Sequence, residues 1–118
     1  MTDADETVLR GRVVFPEGDW AGSTGRVVVR VEDASRADAA ATTVAEQVSE
    51  GVRLPGGDGT SVPFELRVPA GLVDPSGPYS VRVHVDVSGS GTVTTGDFVS
   101  TESYPLDRPD LVIRVRRV

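Results

Sequence analysis

His84 is the only histidine in a chain of 118 residues that contains no cysteine. It lies in the run Tyr79-Ser80-Val81-Arg82-Val83-His84-Val85-Asp86-Val87, in which every second residue is apolar. In an extended strand that alternation puts Arg82, His84 and Asp86 on one outward face, about 7 Å from one to the next. An imidazole beside a carboxylate suggests a general base, but a base needs both an orienting partner and a proton to take. Asp86 meets His84 only by side-chain reach, and a single histidine rules out a histidine-only metal site. His84 therefore reads as a solvated strand residue.

A second cluster, Glu32-Asp33-Ala34-Ser35-Arg36-Ala37-Asp38, gathers three carboxylates within seven residues. Asp33 and Asp38 are the metal candidates, because calcium takes about six to eight hard oxygen ligands. The spacing departs from that of helix–loop–helix calcium loops, which carry a central glycine and a terminal glutamate. Asp33, Ser35 and Asp38 are equally suited to bonding local amides and shaping a turn. Trp20, in Asp19-Trp20-Ala21-Gly22, is the one candidate ligand contact, as a platform for a sugar ring. Its competing role is to cap the end of a core.

No Gly-x-Ser-x-Gly elbow, phosphate loop or dinucleotide fingerprint is present, and Gly56-Gly57-Asp58-Gly59 has neither the spacing nor the following helix. All twelve basic residues are arginine, which removes Schiff-base and phosphate-loop lysine chemistry. The lack of cysteine excludes disulfides, thiolate zinc sites and cysteine nucleophiles. No catalytic residue and no cofactor are expected, and the chain reads as a non-enzyme. The net charge of −6 argues against nucleic acid, which demands a positive footprint. No apolar run is long enough for membrane insertion. The acidic start Met1-Thr2-Asp3-Ala4-Asp5-Glu6 has no secretory pattern, and no lipidation cysteine follows. The expected location is cytoplasmic, unless a leader has been removed.

The elements that would position these residues are strands. Leu9, Gly11, Val13 and Phe15 share one face of a first strand, with Arg10 and Arg12 opposite. Val27, Val29 and Val31 repeat the pattern, as do Phe64, Leu66 and Val68 between two prolines, and Leu111, Ile113 and Val115 at the end. Val93 to Val99 is a weaker strand, interrupted at Gly96-Asp97. Between Ala37 and Val48 the apolar residues fall at helical spacing, although Thr42-Thr43-Val44 is β-branched. That pattern slightly favours a helix. The whole predicts a flexible acidic segment at 1–6 and one domain at 7–118, an all-β, two-sheet antiparallel β-sandwich of about seven to eight strands.

The order of these pieces, from about Val8 to Val118, resembles the YbaY-type lipoproteins, relatives of the lipoprotein chaperones (pilotins) of type III secretion. The resemblance is carried by Leu9-Arg10-Gly11-Arg12-Val13-Val14-Phe15 and by Val29-Arg30-Val31-Glu32-Asp33-Ala34-Ser35-Arg36-Ala37-Asp38-Ala39, a strand ending in Asp-x-Ser-x-Ala-Asp-Ala. Val44-Ala45-Glu46-Gln47, Val62-Pro63-Phe64-Glu65-Leu66 and Tyr79-Ser80-Val81-Arg82-Val83 follow in the family's order. The resemblance implies a β-sandwich in which residues 42–50 are a strand rather than a helix, with no catalytic residues. It implies a binding or chaperone-like module for an extended protein segment, since the secretion members escort the outer-membrane secretin by such a segment. The expected partner is a protein segment held at a sheet edge or in an inter-sheet groove. The alternative is a calcium- or carbohydrate-binding sandwich centred on Asp33, Asp38 and Trp20.

Overall fold

The structure is a computed structural model that describes residues 6–33, 42–56, 61–69, 79–102, 104–106 and 110–118. Seven strands account for most of them: β1 (Glu6–Val14), β2 (Thr24–Asp33), β3 (Thr42–Arg53), β4 (Ser61–Pro69), β5 (Tyr79–Asp86), β6 (Phe98–Ser100) and β7 (Leu111–Arg117). No helix occurs among the described residues. Valine supplies much of this preference, since its branched Cβ is stiff in a helix and packs well on a pleated surface.

The alternation in the sequence is realised strand by strand. Val27, Val29 and Val31 of β2, Val81, Val83 and Val85 of β5, and Leu111, Ile113 and Val115 of β7 are all buried. Leu9 and Val13 of β1 join them with Leu66 and Val68 of β4 in a single core. Each such side chain contributes about 1.5–3 kcal/mol of burial before the entropy of ordering is subtracted.

The all-β class is as expected, but the two-sheet antiparallel sandwich is replaced by one continuous sheet in the order β3-β2-β5-β6-β7-β1-β4. The strand that joins the halves is β7, antiparallel to β6 on one side and parallel to β1 on the other. Sequence alternation assigns an inward face to each strand but says nothing about which strands are neighbours, and both architectures satisfy it. The ends of the sheet, β3 and β4, come back alongside each other without a ladder between them, giving a nearly closed barrel.

The parallel β1–β7 pair depends on Gly11, which is opposite Leu111 in the register. A Cβ at Gly11 would stand 2.2 Å from the Leu111 carbonyl oxygen and 2.8 Å from its Cβ, so only glycine lets the two strands approach this closely.

Two local expectations are corrected. The helix suggested by spacing is absent over 42–53, where β3 pairs with β2 and half-buries Val44, Ala45 and Val52 against the core; residues 37–41 lie outside the described residues. The β-branched run and the pairing with an already buried β2 override a helical moment that has no apolar surface to meet. The weak strand expected from Val93 to Val99 shrinks to Phe98–Ser100. Residues before it turn instead: the Asp97 amide bonds the Thr94 carbonyl at 3.0 Å, and Gly96 takes a φ of 97°.

Candidate functional site

The outer face of β5 carries Arg82, His84 and Asp86, as alternation requires, yet only Arg82 is exposed. The solvated reading of His84 is corrected, for its side chain is 11% exposed and its Nε2 lies 2.9 Å from Oδ2 of the fully buried Asp97. A carboxylate only accepts, so Nε2 carries the imidazole proton. Asp97 precedes β6, whose Val99 is opposite His84 in the register, so pairing with β5 delivers the carboxylate to the imidazole.

Asp97 is also bound by the loop that it closes. Its Oδ1 accepts from the amides of Val87 and Ser88 at 2.9 and 3.2 Å, and its Oδ2 from the amide and hydroxyl of Thr94 at 3.1 and 3.4 Å. Burial by itself pushes this carboxyl up, but the bond from His84 and those from the loop amides outweigh it and hold the group at about 2. Asp86 does the same work for the next turn, accepting from the Gly89 and Gly91 amides at 2.8 and 2.9 Å and from the Ser88 hydroxyl at 3.1 Å. The Gly91 amide leads in lowering its pKa, working against burial.

His84, Asp86 and Asp97 are the one group of three metal-ligating side chains among the described residues, with ligand atoms within 4.8 Å of one another. Every carboxylate oxygen in that group already receives at least one N–H or O–H donor. The cluster therefore acts as a knot that ties residues 87–97 to the barrel wall, in place of secondary structure. For catalysis it lacks a nucleophile: among the described residues no hydroxyl bonds His84, and the Ser100 hydroxyl oxygen accepts from the Val83 amide at 2.9 Å.

Beside the knot lies a shallow depression of about 130 Å³ on the same face. Val28, His84, Val93 and Val99 line it, with Arg30, Glu32 and Arg82 at its polar end. The charged residues there are mutually satisfied, Arg82 with Glu32 at 2.9 Å and Arg30 with Glu46 at 2.6 Å.

The remaining described sequence candidates, Asp33 and Trp20, make no contact with each other. Asp33 ends β2, opposite Thr42 and Tyr79, while Asp38 lies outside the described residues. Trp20 is half-buried at one end of the barrel, its ring edge-on to Phe98 at 5.2 Å and its Nε1 donating to the Pro16 carbonyl at 3.0 Å. The Arg117 guanidinium stacks over the ring at 5.3 Å, so the indole is packed into the end of the barrel.

Sequence reasoning did not anticipate β3 as a binding element. This strand is twelve residues long, the longest of the seven, and among the described residues it pairs on one side only. Glu46 to Gly51 are exposed without interruption, on both faces of the strand. Gln47 and Ser49 are opposite the buried Val29 and Val27 and so project toward the barrel interior, yet both stay open to solvent. Across the unladdered seam, Val62 and Phe64 of β4 are half-buried. The signal was there to be read: Glu46-Gln47-Val48-Ser49-Glu50-Gly51 has no clean alternation, which is the mark of a strand with no buried face.

The sequence matches the family model of the type III secretion system lipoprotein chaperones (YscW) over residues 4–103. The chain belongs to the YscW family. Its fold is also that of a solved structure, an alternative pilotin from the type II secretion system of Vibrio cholerae, with a TM-score of 0.71. The two share 23% sequence identity over 96% of this chain and 97% of that one. No curated protein matches. Membership fits a non-enzymatic, chaperone-like binding role and a protein as partner. The matched YscW segment contains all of β1 to β6, including the open edge of β3 and the His84–Asp97 knot.

Proposed function

We propose that this protein is a non-enzymatic chaperone-like module that binds an extended segment of a partner protein along the open edge of β3, at the seam with β4. The observation that supports it is the run from Glu46 to Gly51, a strand exposed on both faces and, among the described residues, unpaired along one edge. Such an edge presents free N–H and C=O groups in register for an added strand, which supplies affinity through the main chain. Natural proteins usually blunt an edge of this length; here the strand carries Glu46 and Glu50, each engaged by an arginine of β2, Arg53 at its end, and a register irregularity toward each end. Val62 and Phe64 across the seam would take the apolar side chains of the incoming segment. Within the family we place the chain with YbaY-type members, on its opening strand and on the stretch from Asp33 to Ala39.

The test pairs the protein with the terminal segment of the secretin from its own cell and follows amide hydrogen exchange. Binding should slow exchange in β3 between Glu46 and Gly51 while leaving β7 unchanged. Binding without added protection on β3 or β4, or no binding to any secretin segment, would reject the proposal.

A further inference from the structure

Charge is distributed unevenly around the barrel. On the β2–β3–β5 side three outward arginines within the strands have a carboxylate, Arg26 with Glu50, Arg30 with Glu46 and Arg82 with Glu32, and Arg53 stands alone at the end of β3 with no ion pair among the described residues. The β7–β1 side differs. Arg12, Arg114 and Arg116 are all exposed, and among the described residues none makes an ion pair. Arg10 and Arg67 at the margin both reach Glu65, at 3.2 and 3.5 Å, and Asp110 lines the same depression as Arg10 and Glu65. Glu102, at the opposite margin, accepts the Tyr104 hydroxyl at 3.1 Å.

The register makes the three unpaired arginines one patch. Arg12 is opposite Val112 and Val14 is opposite Arg114, so Arg12 and Arg114 are diagonal neighbours on the outward face. Arg116 follows two residues along the same strand, about 7 Å further. We propose that this face of β7 and β1 docks an acidic, extended segment of a partner protein, a second surface independent of the β3 edge. Carboxylates at every second residue of an extended chain repeat at the spacing of Arg114 and Arg116, and guanidinium forks bind carboxylates in bidentate fashion. The net charge of −6 disfavours nucleic acid. A membrane surface is disfavoured because among the described residues this face has no exposed aromatic to insert, its apolar members including the half-buried Val14 and Val112.

The probe is a synthetic peptide alternating glutamate and threonine, titrated at low salt against the whole chain and followed by amide shifts, with a glutamine–threonine peptide as control. The glutamate peptide alone should bind, shift amides of β1 and β7, and weaken as salt screens the charges. Replacing Arg12, Arg114 and Arg116 together by Gln should weaken it at least about tenfold, with an unchanged circular dichroism spectrum. Arg116→Gln alone should give a smaller loss, which keeps the test valid if the triple variant misfolds. The inference fails if the peptide does not bind, if the variants bind as well as the parent, or if phosphatidylglycerol vesicles bind and the peptide does not. Secretin-segment protection on β3 should survive the triple substitution, so the two surfaces stand or fall separately.

Discussion

Asp97 receives five hydrogen bonds, from the His84 imidazole, the Thr94 hydroxyl and three loop amides. A carboxylate that substitutes for a ladder in this way is costly to neutralise, because its donors are left facing no acceptor. Asp97→Asn keeps the shape but points an NH2 at those donors, and should cost about 2–3 kcal/mol in urea denaturation. The same carboxyl sets a pH dependence. Its pKa falls from an ordinary 3.8 to about 2, so its contribution is fully present above about pH 4 and is lost as pH falls through about 2. Asp86, also lowered, adds a loss in the same direction. Stability measured from pH 5 to 2 should fall steeply in the parent and less steeply in Asp97→Asn; parallel curves would show that the knot does not govern acid sensitivity.

At the scale of the element, the parallel β1–β7 pair is the join that turns two groups of strands into one sheet, and Gly11 is its narrowest point. Gly11→Ala should destabilise by about 1–3 kcal/mol, since a methyl group there meets backbone, which cannot rotate away. An unchanged denaturation midpoint would mean that the strands separate at no cost, contrary to the packing seen. The long β3 has the opposite character. With Glu46 to Gly51 exposed on both faces, hydrogen exchange in the unliganded protein should be faster there than in β2, its neighbour, by at least about tenfold.

For the whole molecule, a single tryptophan reports on closure of the barrel. Trp20 packs on Phe98, which itself contacts Phe15 at 5.0 Å, linking the loop after β1 to β6. A chain of this length with one shared core should unfold in one step, so Trp20 fluorescence and far-ultraviolet circular dichroism should give coincident transitions. Separate midpoints would indicate that the tryptophan end opens before the rest. Trp20→Ala should lower stability by about 2–4 kcal/mol through lost contact with that end of the core.

The sequence alone determined the all-β class, the inward faces of β1, β2, β4, β5 and β7 and, through the order of its pieces, the kinship with secretion chaperones. Those properties are local: a period of two and a proline or glycine at a strand end are set by neighbours in the chain. Only the tertiary structure decided that the strands close one sheet through β7, because alternation is blind to which strand lies beside which. It also decided the state of His84. The outward face of Tyr79–Val87 was legible, but Asp97 lies thirteen residues beyond His84, and only β5–β6 pairing buries the two together. The open edge of β3 and the unpaired arginines of β1 and β7 have the same origin. Both are properties of pairing between distant segments, where free amides and uncompensated charges are defined by what the fold places next to them.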